Sequence, residues 1–142
     1  MAIDYKVIEK GQPGVVGGGE KKYYAKIVYG KEATVDEIVK NIEKFSALSE
    51  SDIRGVIYAL ENVAQDLLAQ GRIVRLEKLG SFYPSISSRG EDEESAVSGN
   101  SIKKADVNYR AGKRILAALK NAGFTKVNDA IPAGDGGRTE PG

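Results

Sequence analysis

The sequence predicts an α+β fold: a helical hairpin as base, an antiparallel β-sheet carrying an exposed arm, a short C-terminal helix, and an extra N-terminal β-hairpin. Three observations predict it. Two stretches with helical apolar spacing, each behind its own N-cap, follow one another between Thr34 and Gln70. Strand-like runs come next, broken at a lone glycine in LEKLGSFYPSI. A second pair of strand-like runs, IDYKVI and YYAKIVY, precedes the helices.

The elements follow in order. Residues 3–8 and 23–29 are rich in Tyr, Val and Ile, which suit a pleated, half-buried surface. GQPGVVGGGEKK between them is a loop by its Gly and Pro content. Gly14 and Gly19 have the spacing of a phosphate-binding loop, but Glu20 stands where that motif needs Lys and no Ser or Thr follows, so the segment is read as a flexible turn. TVDE is a capping box in which Thr34 accepts from the backbone of Glu37. Val35, Ile38, Val39, Ile42 and Phe45 then share a helical face. Ser49 and Asp52 form a second cap, and the stripe Ile53, Val56, Ile57, Leu60, Val63, Ala64, Leu67, Leu68 runs to Gly71, a C-terminal cap residue. Helices joined this closely form a hairpin or a V. RIVRL, SFYPSI and SIKKADVNY read as strands, and SSRGEDEESAVSGN, which lacks apolar periodicity, reads as an exposed arm. AGKRILAALKNA returns to helical spacing and stops at Gly123. Three regions result: a strand extension over residues 1–32, a central domain over 33–123, and a Gly/Pro-containing tail over 124–142. From about Asn128 the tail cannot bury enough apolar surface to offset its ordering entropy, so disorder is expected there.

Composition narrows the function. The 142 residues contain no His, which removes the commonest general base and metal ligand, and no opposed carboxylate pair or activated nucleophile stands out. An enzyme is not expected, nor is a metal, a cofactor or a small-molecule substrate. There is no Cys, so the redox compartment stays open. MAIDYKVIEK carries charges where a signal peptide needs an apolar run, and no apolar run reaches membrane-spanning length. A soluble cytoplasmic protein without membrane contact is expected. The formal net charge is only +1, whereas nucleic-acid binders usually carry a basic excess.

The segments TVDEIVKNIEKFSALSESDIRGVIYALENVAQDLLAQGRIVRLEKLGSFYPSI and VNYRAGKRILAAL resemble, in order and spacing, the HU/IHF family of bacterial histone-like proteins. LEKLGSF keeps the second Gly and second Phe of that family's Gly-Phe-Gly-x-Phe corner as Gly80 and Phe82, while Lys78 and Leu79 replace the first pair. Tyr109, Arg110, Ala111, Gly112 and Lys113 stand in the places of its Phe-Lys-Pro-Gly-Lys stretch. The N-terminal strands, the ISS-x-G arm and the Ile-Lys-Lys return resemble an HU-like subfamily known mainly from Bacteroidetes.

The resemblance implies an intertwined homodimer that binds double-stranded DNA through its backbone and minor groove without sequence specificity, an architectural, nucleoid-associated protein that condenses DNA. A long apolar stripe on the second helix, more than a three-stranded sheet covers, makes the dimer plausible independently. The DNA-binding residues implied are Lys78 and Ser81 flanking the corner, Arg89, Lys103 and Lys104 on the arm, and Arg110 and Lys113 before and at the last helix. The arm departs from the family. It has no proline wedge, and between Ile86 and Arg110 five acidic residues outnumber four basic ones, so it should repel phosphates. The alternative is therefore an HU-fold protein-interaction or structural module that has lost most DNA affinity, with an added strand edge to pair with a partner.

Overall fold

The computed structural model describes residues 2–12 and 14–128. These divide into two compact units, one holding the chain up to Ile38 together with the segment from Ala118, the other Val39–Ala117.

The first unit is built on a three-stranded sheet. β1 (Ile3–Lys10) pairs antiparallel with β2 (Lys22–Ile27), opposing Tyr5 to Ile27 and Lys10 to Lys22, as the hairpin reading expects. β6 (Phe124–Lys126) lies parallel on the other side of β1, with Ile3 opposite Phe124. The chain enters and leaves this pairing through Ile3 N–H to Gly123 O at 2.9 Å and Val127 N–H to Tyr5 O at 2.8 Å. Residues 124–126, counted with the tail in the sequence reading, are thus a strand. A three-residue strand has no periodicity of its own to read, and its partner lies at the far end of the chain. The tail from residue 129, for which disorder is expected, lies outside the described residues.

Two helices follow, the first passing from the first unit into the second and the other lying wholly in the second. α1 (Val35–Glu43) starts where Thr34 Oγ accepts from the Glu37 N–H at 3.4 Å. α2 (Glu50–Ala69) opens with a reciprocal box, Asp52 N–H to Ser49 Oγ at 3.2 Å and Ser49 N–H to Asp52 carboxylate at 3.4 Å. It ends in a Schellman motif: Gly71 N–H reaches Leu68 O, Arg72 N–H reaches Leu67 O, and Gly71 takes φ +78°, a value glycine adopts without a Cβ clash.

After α2 the sheet order is β3 (Val74–Arg75), β4 (Gly80–Ser88), β5 (Ile102–Ala111), all antiparallel. The corner glycine is required twice over. Gly80 sits at φ +131°, and a Cβ there would collide with the Arg110 carbonyl oxygen and lie 2.7 Å from the Tyr109 ring. The Tyr109 hydroxyl closes the corner by donating to Leu79 O at 2.6 Å. α3 (Lys113–Ala122) follows at once, because Gly112 leaves room for the Lys78 carbonyl against which any Cβ would clash.

Strand alternation divides this sheet cleanly. Val74, Phe82, Pro84, Ile86, Val107 and Tyr109 share one face, where the Phe82 and Tyr109 rings pack 5.2 Å apart. Val39, Ile53 and Val74 are the only apolar side chains fully buried among the described residues. Three of the eight residues in the α2 stripe, Val56, Leu60 and Val63, are exposed, Val56 to 62% and Val63 to 54%, and Phe45 after α1 is 90% exposed. No helix of the described residues is long and apolar enough to cross a membrane.

Candidate nucleic-acid interface

The opposite face of β3–β4–β5 is polar throughout. Register places Arg75, Ser81, Tyr83, Ser85 and Ser87 beside Arg110, Asn108, Asp106 and Lys104. At its base the Tyr83 ring gathers two cations: the Arg110 guanidinium lies 4.9 Å from the ring centroid and that of Arg75 5.8 Å. Arg75 Nη1 also donates to Ser81 Oγ at 3.5 Å and Tyr83 Oη at 3.4 Å. Guanidiniums laid against an aromatic face lose side-chain freedom while keeping their N–H groups for a ligand. The result is a small positive platform with hydroxyls between its charges.

Lys78 and Lys113 border this platform. Lys78 sits in the turn from Leu76 to Leu79, whose closing bond runs from Leu79 N–H to Leu76 O at 3.1 Å. Its backbone abuts Gly112, so it meets the first turn of α3, where Lys113 is the first residue. Unpaired backbone N–H groups at a helix start add to the positive field. Of the sequence-predicted residues, Ser81 and Arg110 are cross-strand partners on this face, and the backbone at Lys78 and Lys113 meets beside them through Gly112.

The remaining three do not join them. Lys104 stands opposite Ser87, roughly 20 Å along the strand from Ser81, and is 3.7 Å from the Asp106 carboxylate, which offsets its charge. Lys103 falls in the irregularity where the register passes from Ser87–Lys104 to Ser88–Ile102, an extra residue in a bulge. Arg89 is held at the arm tip, its Nε donating to Glu91 Oε1 at 2.8 Å. The same oxygen accepts from Ser101 Oγ at 2.9 Å. These bonds, that from Arg89 first, hold the Glu91 carboxyl below its ordinary value.

The arm tip is thus a knitted polar knob. Ser98 and Ser101 cap a 3-10 turn at Gly99–Ser101 reciprocally, Arg89 N–H donates to Ser101 O at 2.9 Å, and Ser101 is buried. Another short turn, Glu94–Ala96, follows Asp92 and Glu93, which are exposed. Charge is therefore segregated along the arm, positive at the base and acidic at the tip.

Arg75 and Tyr83 were missed in the sequence, although the alternation Ser81, Tyr83, Ser85, Ser87 against Phe82, Pro84, Ile86 already marked a polar face. The Arg75 contribution depends on a cross-strand register that β3, two residues long, does not advertise.

None of the curated proteins compared with the chain is significantly similar to it. The fold is similar to a crystal structure described as that of a candidate bacterial DNA-binding protein from Bacteroides vulgatus ATCC 8482, with a TM-score of 0.61 and 13% sequence identity over 89% of this chain. The chain spans about half of that protein, 48% of its length. A family model, described as an HU domain fused to wHTH, Ig or glycine-rich motif, matches residues 1–126. With the corner at Gly80, the arm, and the return through Arg110 into α3 all in place, the chain belongs to this HU-HIG family.

Proposed function

We propose that the protein is a non-sequence-specific DNA-binding architectural protein, histone-like and nucleoid-associated in the bacterial cytoplasm, acting as a dimer. The observation that carries this reading is the platform of Arg75 and Arg110 on Tyr83, bordered by Lys78 and Lys113. Family membership and the description of the structural neighbour support the same ligand. Arg, Lys and Ser side chains arranged on a sheet suit phosphate oxygens, which carry no sequence information. The dimer is supported by the open apolar faces of α1 and α2. In this reading Lys103 and Lys104 contribute along the arm, and Arg89 contributes by shaping the tip.

A specific observation favours a second reading, a protein-interaction or structural module: the arm tip is ordered around Glu91 and displays Asp92, Glu93 and Glu94, which repel phosphates. Titration of duplex DNA at low and near-physiological salt separates the two. The first reading expects binding that weakens with salt and loses about two units of salt slope per protomer, nearly four per dimer, in Arg75→Ala/Arg110→Ala, since each phosphate neutralised contributes about 0.9. Absence of binding at low salt transfers the argument to protein partners.

A further inference from the structure

We propose that the N-terminal sheet carries a second DNA-backbone contact surface, formed by Lys6, Lys10, Lys22 and Lys26. Register puts Lys6 directly opposite Lys26, and Lys10 directly opposite Lys22, with Ile8 and Tyr24 as the pair between them. All six therefore share one face. The Lys10 ammonium lies 5.0 Å from the Tyr24 ring centroid, on that shared face. Asp4 is the only carboxylate that alternation adds there among the described residues. Lys10, Lys22 and Lys26 are exposed.

Three physical points lead from this face to DNA. Like charges directly opposite on neighbouring strands destabilise a sheet, so the Lys10–Lys22 pair is a cost to the free protein that an anion would relieve. The two lysine rows stand about 13 Å apart along the strands, too far for one small anion to bridge and suited to a polymer with repeated charge. A bilayer surface would need apolar groups beside the lysines. Here most of these groups lie on the reverse face: Val7, Tyr23, Ile27 and Phe124, all substantially exposed. Tyr24 sits between the two lysine rows, with the Lys10 ammonium over its ring.

This surface shares its ligand with the Arg75–Arg110 platform but does not rest on it. The test uses the whole chain and a fluorescent duplex, with the salt slope of affinity measured for wild type, Lys10→Gln/Lys22→Gln, Lys10→Arg/Lys22→Arg, and Arg75→Gln/Arg110→Gln. The proposal expects the Lys→Gln pair to flatten the slope by about two units per protomer, the Lys→Arg pair to retain it, and the two Gln variants to act additively. The melting temperature of each variant is measured alongside, and an unchanged value excludes unfolding as the cause of lost binding. A wild-type slope in Lys10→Gln/Lys22→Gln overturns the proposal. So does loss of co-sedimentation with phosphatidylserine vesicles in that variant while its DNA slope stays unchanged, which would assign the face to lipid. If only the arginine variant is unaffected, the platform reading falls and this one stands.

Discussion

Gly80 shows how far a single position can be read. A lone glycine between a strand-like run and an aromatic marked a corner, and both its φ of +131° and the crowding from Arg110 and Tyr109 supply the reason. Gly80→Ala is therefore expected to cost about 3 kcal/mol or more, from left-handed strain and a backbone clash that no rotamer relieves, measured by urea denaturation. Tyr83 was less legible, because its importance lies in what two other strands bring to it. Tyr83→Leu should preserve the fold while weakening DNA binding, and a double-mutant cycle with Arg75 should show coupling of about 0.5–1 kcal/mol. Glu91 makes a pH prediction of definite sign. Its folded carboxyl sits below the usual value of 4.5 because Arg89 and Ser101 donate to it. The stabilisation is thus complete above that value and is lost as pH falls through the lowered one. Amide exchange at Arg89 and Ser101 should accelerate on acidification in that window, and Glu91→Gln should remove the dependence.

At the scale of elements, the α2 boundaries were legible because capping chemistry is local. Ser49, Asp52 and Gly71 each act within four residues, and their bonds are those expected from sequence. Ser49→Ala should lower stability by about 1 kcal/mol, read from thermal denaturation. β6 was illegible for the opposite reason. FTK has no pattern, and its place is set by bonds from Ile3 to Gly123 and from Val127 to Tyr5 across almost the whole chain. Truncation after Gly123 should therefore release the amide of Val28 and its neighbours less than it exposes β1: hydrogen exchange at β1 residues facing β6 should rise strongly, while β4–β5 amides keep their protection. The arm falls between these cases. Its lack of apolar periodicity marks an exposed arm, but the polar network of Glu91, Ser98 and Ser101 that orders it has no repeating signature.

For the whole molecule, neither charge nor apolar content was informative as a total. A net charge of +1 concealed a basic platform, a lysine-bearing sheet face and an acidic tip. The apolar stripe of α2 was legible as a stripe, yet what covers it is a question of assembly. In the single chain Val56, Leu60 and Val63 are 62%, 42% and 54% exposed, and Phe45 of the preceding segment 90%. Exposed side chains recurring at helical spacing, with three apolar residues buried among those described, leave an apolar surface for a partner to cover. A second copy is the occupant the proposed function requires, and association then contributes directly to stability, so the melting temperature should rise with protein concentration. Sedimentation should give twice the chain mass at micromolar concentration. Val63→Asp places a charge on a residue already half exposed in the single chain, so a monomeric protein would tolerate it within about 0.5 kcal/mol. In a dimer the same charge is buried without a partner, and the cost rises to several kcal/mol. Loss of the dimer together with loss of cooperative unfolding in Val63→Asp is the expected result. A concentration-independent melting temperature, unchanged in the variant, would show instead that the α2 stripe stays open in the single chain.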